Sequence, residues 1–382
     1  MAFIQTQRHL FDIPEDIAYF NCAYNSPQLN ESRTRLLTGV NTKSHPWERT
    51  TPSFFEDAET IRHLSSEIFG GDTDGYAIIP SASYGLSTAA RAIEPHLQSG
   101  DQIVVIAEEF PSNVLPWKRV AQETGAVLIT VPTPEFKNWT QAIIEKLDSK
   151  VKVLAISTCH WTNGALIDLS VLSKACRAIG CALVVDATQS LGAMPFSVDE
   201  IQPDFLVAAG YKWLLCPYGF SLLYVSDRWR TSRPLEETWQ ARDNAEDFTA
   251  LVNYSDKYMS GSRRFDVGEK CTPTILPGAV AALEQIKKWG VSEIANSLSI
   301  MNKQIGTHFK QLGFQLPNDA VRCPHMFGAL LPKQYKGNLV NELKAKKIYI
   351  SQRGNSLRFA PHLHINDDDV NRLLDSVTEL VQ

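Results

Sequence analysis

From about Asp72 to Val225, short apolar runs alternate with stretches whose apolar positions recur at helical spacing. That alternation is the signature of βα units wound around a mainly parallel sheet. The runs from Tyr76 to Ile79, Gln102 to Ile106, Ala126 to Val131, Val151 to Ser157, Ala182 to Asp186 and Asp204 to Ala209 carry the β-branched residues that favour strand over helix. Between them, the stretches beginning at Ser83, ending at Gly125 and ending at Gly180 predict helices, two of them stopped by glycine, which caps a helix end at little conformational cost. The stretch from Phe205 to Val225 reads as two buried strands with one lysine, Lys212, between them.

Beyond Val225 the pattern changes. Residues Arg228 to Arg264 are polar and aromatic without periodicity, which predicts a long excursion beside an active site. A helical pattern restarts near Pro277. From about Ser292 helices mix with short strands at Ile348 to Ser351 and Leu357 to Ala360, and a helix from Asp367 closes the chain. These patterns predict an α/β large domain over residues 15–275 and a smaller α+β domain over residues 276–382.

Composition narrows the function. Lys plus Arg number 37 against 42 Asp plus Glu, a net charge of −5, and no block of like charge marks a nucleic-acid or membrane-surface partner. No apolar run nears the roughly 18–20 residues of a membrane span. The N-terminus lacks the apolar stretch of a secretion signal, so a cytoplasmic protein with a small-molecule substrate is expected. Seven cysteines, an odd count without a C-x-x-C pair, predict reduced thiols rather than disulfides, and Cys216 is expected to pack. His362 and His364 are close in sequence but lack further ligands, so no metal is expected.

Polar residues gather where the strand runs end, the place where ligands bind in sheets of this kind. Asp186 closes one run and Gln189 follows it; Lys212 lies just past another; the small residues Ser81 to Ser83 open a helix whose free N–H groups attract an anion. A lysine for a Schiff base, a carboxylate for a pyridinium nitrogen and a helix N-terminus for a phosphate are the requirements of pyridoxal 5′-phosphate. Asp186 would keep the ring nitrogen protonated. Lys212, once displaced by substrate, would shuttle protons at the substrate's α-carbon.

On these residues the chain resembles the class V aminotransferase family of fold-type I pyridoxal-phosphate enzymes, which includes cysteine desulfurases, kynureninases and isopenicillin N epimerases. The resemblance runs from YFNCAYNSP to LRFAPHLHINDDDVNRLL and rests on D-x-x-Q, a lysine about 25 residues later followed by P-x-G, and a C-terminal arginine. It implies a large domain built on a mainly parallel sheet of the seven-stranded type, a small C-terminal α+β domain, an active site to which residues 1–30 contribute, and a homodimer with shared sites.

Residue by residue, the resemblance implies Lys212 for the Schiff base, Asp186 for the pyridinium, Gln189 for the ring hydroxyl and Phe110 for stacking on the ring. It implies Ala82 and Ser83 for the phosphate, with Tyr211 as a further phosphate contact and Thr272, in EKCTPT, reaching the partner subunit's phosphate. Arg358 matches the arginine that clamps a substrate α-carboxylate, a task suited to a bidentate guanidinium. Trp161 is a candidate cofactor contact, and His160 and Asn25 are candidate substrate contacts, although buried histidine and tryptophan are also commonly structural. Arg353 is expected to form a surface ion pair.

Transamination, racemisation and elimination with C–S cleavage all begin from the same carbanion. Desulfurases resembling this chain carry a persulfide-forming cysteine just before the C-terminal arginine, and the matching run from Tyr349 to Phe359 has none, which disfavours classical desulfuration. An aminotransferase-like reaction on an amino acid is the first expectation. A C–S lyase or an epimerase is the second, and a non-catalytic binding relic of the fold is the alternative from another class.

Overall fold

The computed structural model describes residues 3–134 and 138–382, so residues 1–2, at the head of the expected active-site segment 1–30, lie outside the described residues. A short strand, β1 (Ala18–Tyr19), precedes the central sheet. That sheet contains β2 (Tyr76–Ile79), β3 (Gln102–Ile106), β4 (Val127–Val131), β5 (Val151–Ser157), β6 (Ala182–Asp186), β7 (Phe205–Ala209) and β8 (Ser221–Val225). Its seven strands lie in the order β2-β8-β7-β6-β5-β3-β4. Every neighbouring pair is parallel except at β8, which runs antiparallel to both β7 and β2. The carboxyl ends of all strands but β8 therefore open on one edge.

Strands β2, β6, β7 and β8 are buried at every position, as expected of strands covered on both faces. One face, with Ile78, Leu154, Val185 and Leu206, packs under Leu276, Ala279, Leu283 and Ile286 of the helix Leu276–Trp289. The other, with Ala77, Val153, Val184 and Val207, packs under Leu86 and Ala89 of the helix Ala82–Ile93 and Trp117 of the helix Leu115–Thr124. A third core gathers Phe20, Phe309, Phe327, Phe359 and Leu373. Around it lie β9 (Phe327–Leu330), β10 (Ile348–Tyr349), β11 (Ser351–Arg353) and β12 (Ser356–Phe359). β10 pairs in parallel with β1, and the others form an antiparallel sheet in the order β11-β12-β9.

The expected strands recur within one residue: β4 begins at Val127 rather than Ala126, and β7 at Phe205 rather than Asp204. The apolar run at Ile348 to Ser351 is divided between two sheets. The helix Asn30–Ser44 has no counterpart in the hydrophobic pattern, because it buries only Ser32 and Gly39. It is held instead by close backbone approach: a Cβ on Gly39 would lie 1.7 Å from the Pro273 carbonyl oxygen.

The long excursion contains short 3₁₀ turns, among them Trp239–Ala241 and Gly261–Phe265, and an isolated antiparallel bridge between Arg242 and Tyr258. It returns to the sheet through Asp266, whose carboxylate meets Arg62 Nη2 at 2.6 Å, Lys270 Nζ at 2.7 Å and the Ile78 N–H at 2.8 Å, all buried. Among the described residues no helix is long and apolar enough to cross a membrane.

Candidate functional site

Lys212 sits in the turn between β7 and β8, and that turn is fixed on every side. The Gly210 N–H donates to the Phe220 carbonyl at 3.0 Å, and the Cys216 N–H to the Gly210 carbonyl at 3.0 Å. A Cβ on Gly210 would lie 2.5 Å from the Phe220 ring and 2.7 Å from its carbonyl oxygen, so the closure requires glycine. The Tyr211 carbonyl accepts from the Ser26 N–H at 3.0 Å and the Ser26 hydroxyl at 3.1 Å. Trp213, fully buried, donates its indole N–H to Gln189 Oε1 at 3.0 Å. Lys212 itself is buried. Burial pulls its ammonium down to about 8, a fall that the charge of Asp186 opposes and those of Arg358 and Arg353 reinforce.

Asp186 ends β6 with its carboxylate buried, accepting the Thr188 N–H at 3.0 Å. Burial raises its pKa, and among the described residues no cation comes within ion-pair distance. A carboxylate so placed would be completed by a cationic N–H such as a protonated ring nitrogen. Gln189 bridges inward: its Nε2 donates to the Ala23 carbonyl at 3.1 Å, while its own carbonyl accepts from His325 Nε2 and from the Cys159 thiol at 3.7 Å. Cys159, Cys323 and His325 form a buried knot behind it, with candidate ligand atoms within 4.8 Å of one another.

Both residues face a cleft at the carboxyl edge of the sheet. One lobe is lined by Ser81, Ala82, Ser83, Glu109, Phe110, Asp186 and Lys212, among others. Ser81 caps the helix Ala82–Ile93 by accepting the Tyr84 N–H at 3.2 Å, and its hydroxyl lies 2.9 Å from that of Ser83. The opening N–H groups of such a helix have no intrahelical acceptor and suit an anion. Phe110, 38 % exposed, meets Trp161 edge-on with ring centres 5.4 Å apart, and Lys212 Nζ lies 5.6 Å from the Phe110 ring centre. Trp161 is pinned by its indole N–H to the Glu108 carbonyl at 2.7 Å. The Tyr211 ring lies 4.4 Å from that of Tyr218. A helix start at one end, a buried carboxylate at the other and a buried amine alongside fit a phosphorylated pyridine aldehyde.

The adjoining lobe shares Phe110, Trp161, Gln189, Tyr211, Lys212 and Tyr218 and adds Tyr24, Asn25, Arg353 and Arg358. Arg358 is buried; its Nη1 donates to the Trp161 carbonyl at 2.9 Å and its Nε to Ser351 Oγ at 3.3 Å, while Nη2 has no partner among the described residues. Burial and the neighbouring Arg353 charge lower its pKa to about 9. An anion beside Nη2 would relieve both the unmade hydrogen bond and the uncompensated charge. Arg353, expected in a surface ion pair, forms none among the described residues and stands 5.9 Å from the Trp161 ring centre.

Glu109 is a lining residue that the sequence did not single out, as are Tyr24, Thr188 and Tyr218. It is buried, with Oε1 accepting the Phe110 N–H at 2.8 Å and Oε2 accepting the Ser157 N–H at 3.1 Å. Burial, then the charge of Asp186, raises its pKa to about 7. Its signal was an acid next to Phe110 just past a strand end.

His160 does not line either lobe: it stacks on Trp139, ring centres 5.4 Å apart and planes 3° apart, with its nitrogens at Thr162 Oγ1 (2.8 Å) and the Ala107 carbonyl (3.3 Å). Thr272 also lies outside both linings and donates its hydroxyl to the Glu269 carbonyl at 2.9 Å. His362 and His364 are buried, their pKa values lowered by burial to about 3 and about 4. All seven cysteines are buried and none lines the cleft.

The profile of the family described as Aminotransferase class-V matches residues 40–360. A probable cysteine desulfurase of Pyrococcus abyssi is 26 % identical over 294 residues, covering 74 % of this chain and 71 % of the relative. An uncharacterized aminotransferase of Schizosaccharomyces pombe is 25 % identical over 382 residues, covering 95 % and 91 %. Among solved structures, the apo cysteine desulfurase of Thermococcus onnurineus superposes with a TM-score of 0.85 at 19 % identity, covering 100 % of this chain and 99 % of that one. The cystine C-S lyase C-DES, in complex with its product cysteine persulfide, superposes with a TM-score of 0.87 at 17 % identity, covering 96 % and 98 %.

Proposed function

The chain belongs to the aminotransferase class-V family of pyridoxal 5′-phosphate enzymes, and on that footing we propose that it cleaves a carbon–sulfur bond of an amino acid by β-elimination, releasing the sulfur without first loading it on a cysteine. This places C–S cleavage ahead of the transamination that the sequence suggested first. Support comes from the desulfurase and C-S lyase names among the relatives and fold neighbours. One observation carries the reading: Lys212 stands where the two lobes meet, one of them lined by Arg358, whose buried Nη2 is unpartnered among the described residues, and neither lined by a thiol.

Lys212 would hold the cofactor, with Ala82 and Ser83 and the neighbouring Tyr211 available to its phosphate, Phe110 and Trp161 to its ring and Gln189 to its ring hydroxyl. Asp186 would keep a proton on the ring nitrogen. When bound, the cofactor supplies an electron sink for the pair left at the substrate's α-carbon. Arg358 Nη2 takes the α-carboxylate, and Asn25 borders the same lobe. Lys212, displaced by the substrate amine and partly neutral because its pKa is about 8, removes the α-proton. The Cα–H pair becomes the Cα=Cβ bond while the Cβ–S pair leaves with sulfur, and hydrolysis of the released enamine gives pyruvate and ammonia. The placement of Thr272 outside its own chain's cleft fits a homodimer in which it reaches the partner subunit's phosphate.

Holoenzyme supplied with L-cystine or an S-substituted cysteine should form pyruvate and ammonia in equal amounts without consuming a 2-oxo acid. Formation of a new amino acid from added 2-oxo acid, in step with loss of the donor's amino group, would restore transamination instead.

A further inference from the structure

The substrate lobe holds more positive charge than one α-carboxylate can neutralise. Among the described residues its lining contains Lys212, Arg353 and Arg358 and neither aspartate nor glutamate. Arg353 spends Nη1 on the Gln352 carbonyl at 2.7 Å and has no carboxylate of the described chain within ion-pair distance. Strands β11 and β12 set its position. Ser351 pairs with Arg358 and Arg353 with Ser356, so the two arginines are diagonal neighbours on one face of the hairpin, roughly 7–8 Å apart at the backbone. The field of Arg353 reaches both Lys212 and Arg358, lowering the pKa of each. The remaining wall is aromatic, from Phe110 and Trp161 to Tyr24 and Tyr218 at the mouth, which are 59 % and 73 % exposed.

We propose that Arg353 is a subsite for a second acidic group at the far end of the substrate's side chain, so that the preferred substrates are dianionic amino acids. Arg358 takes the α-carboxylate, the aromatic wall covers the thioether or disulfide, and Arg353 takes the distal carboxylate. In terms of the C–S cleavage proposed above, on which the sulfur part rests, these are cysteines whose sulfur substituent carries an acidic group. Such a spacing of two charges also rejects neutral S-alkyl cysteines, which would leave Arg353 uncompensated in a partly desolvated lobe.

The test compares S-carboxymethyl-L-cysteine with its near-isosteric neutral amide, S-carbamoylmethyl-L-cysteine, in the native holoenzyme, Arg353→Gln and Arg353→Lys. The readouts are KM for pyruvate formation and the dissociation constant from the cofactor's absorbance change. The native enzyme should favour the acid at least tenfold in both. Arg353→Gln should bring the ratio close to one, and Arg353→Lys should keep part of it. A ratio near one in the native enzyme, or a ratio unchanged in Arg353→Gln because both ligands weaken together, would overturn the subsite. Acid preference in binding without any pyruvate would uphold Arg353 while removing the C–S cleavage reading.

Discussion

Trp213 donates its indole N–H to Gln189 Oε1 at 3.0 Å, joining the residue after Lys212 to the turn that begins at Asp186. The same glutamine holds the Ala23 carbonyl through Nε2 at 3.1 Å. Three stretches far apart in sequence thus meet at one side chain: the N-terminal segment, the end of β6 and the turn after β7. The amine and carboxylate keep their relative positions because the backbone between them is braced, with no ion pair of 4 Å or less linking them. This is the preorganisation that chemistry at one carbon atom needs.

Lys212→Ala should abolish both the covalent attachment of the cofactor and turnover. Borohydride reduction followed by peptide mapping should label Lys212; a label on another lysine would remove it from the role. Because the neutral amine attacks the aldehyde, reconstitution of cofactor-free protein should quicken with pH and level off above about 8, not near the 10.5 of an ordinary lysine.

Asp186→Asn should retain bound cofactor and lose activity. An amide accepts a hydrogen bond but cannot hold a pyridinium proton by charge, and loss of one preorganised electrostatic contact costs roughly a hundredfold to a thousandfold in kcat. Cofactor stoichiometry by absorbance, measured beside kcat, separates the two effects. Unchanged kcat would dismiss the assignment.

Arg358→Ala should weaken amino-acid substrates by about 1.5–3 kcal/mol, roughly 10- to 100-fold in KM. Arg358→Lys should fall between, since it keeps charge but not the fork geometry. Decarboxylated amine analogues, binding through the cofactor alone, should show no such loss. An equal effect on both would mean that the arginine supports the hairpin rather than the carboxylate.

Glu109 titrates at about 7 in the fold against an ordinary 4.5. Between those values the native state binds more protons than the unfolded one, so the stability associated with its neutral form is full at low pH and is lost as pH rises through about 7. Glu109→Gln should flatten urea midpoints across that window. It should also lower stability at acidic pH by about 1–3 kcal/mol, because an amide donor then faces a backbone N–H. A slope preserved in the variant would assign it to another group.

The strands and the positions of Lys212 and Asp186 were legible because both are local: an apolar run declares the strand, and a polar residue at its end declares the cleft. What depended on distant neighbours was not. The helix Asn30–Ser44 meets its partner through Gly39 and Ser32, which leave no apolar stripe. Arg353 looks like any surface cation until the β11–β12 register places it on the face of Arg358. His160 follows β5 as expected, but the side chain it stacks on, Trp139, belongs to an earlier helix that its own sequence context does not reveal. Glu109 was hidden by its neighbour Glu108, since only the fold distinguishes a buried acid from an exposed one.

The enclosure of all seven cysteine sulfurs makes the folded chain chemically quiet towards maleimides and disulfide dyes. Unfolding presents every one of them at once. The native sequence therefore carries its own clock for opening: the rate of dye uptake counts molecules that have lost their interior, with no probe engineered into the active site.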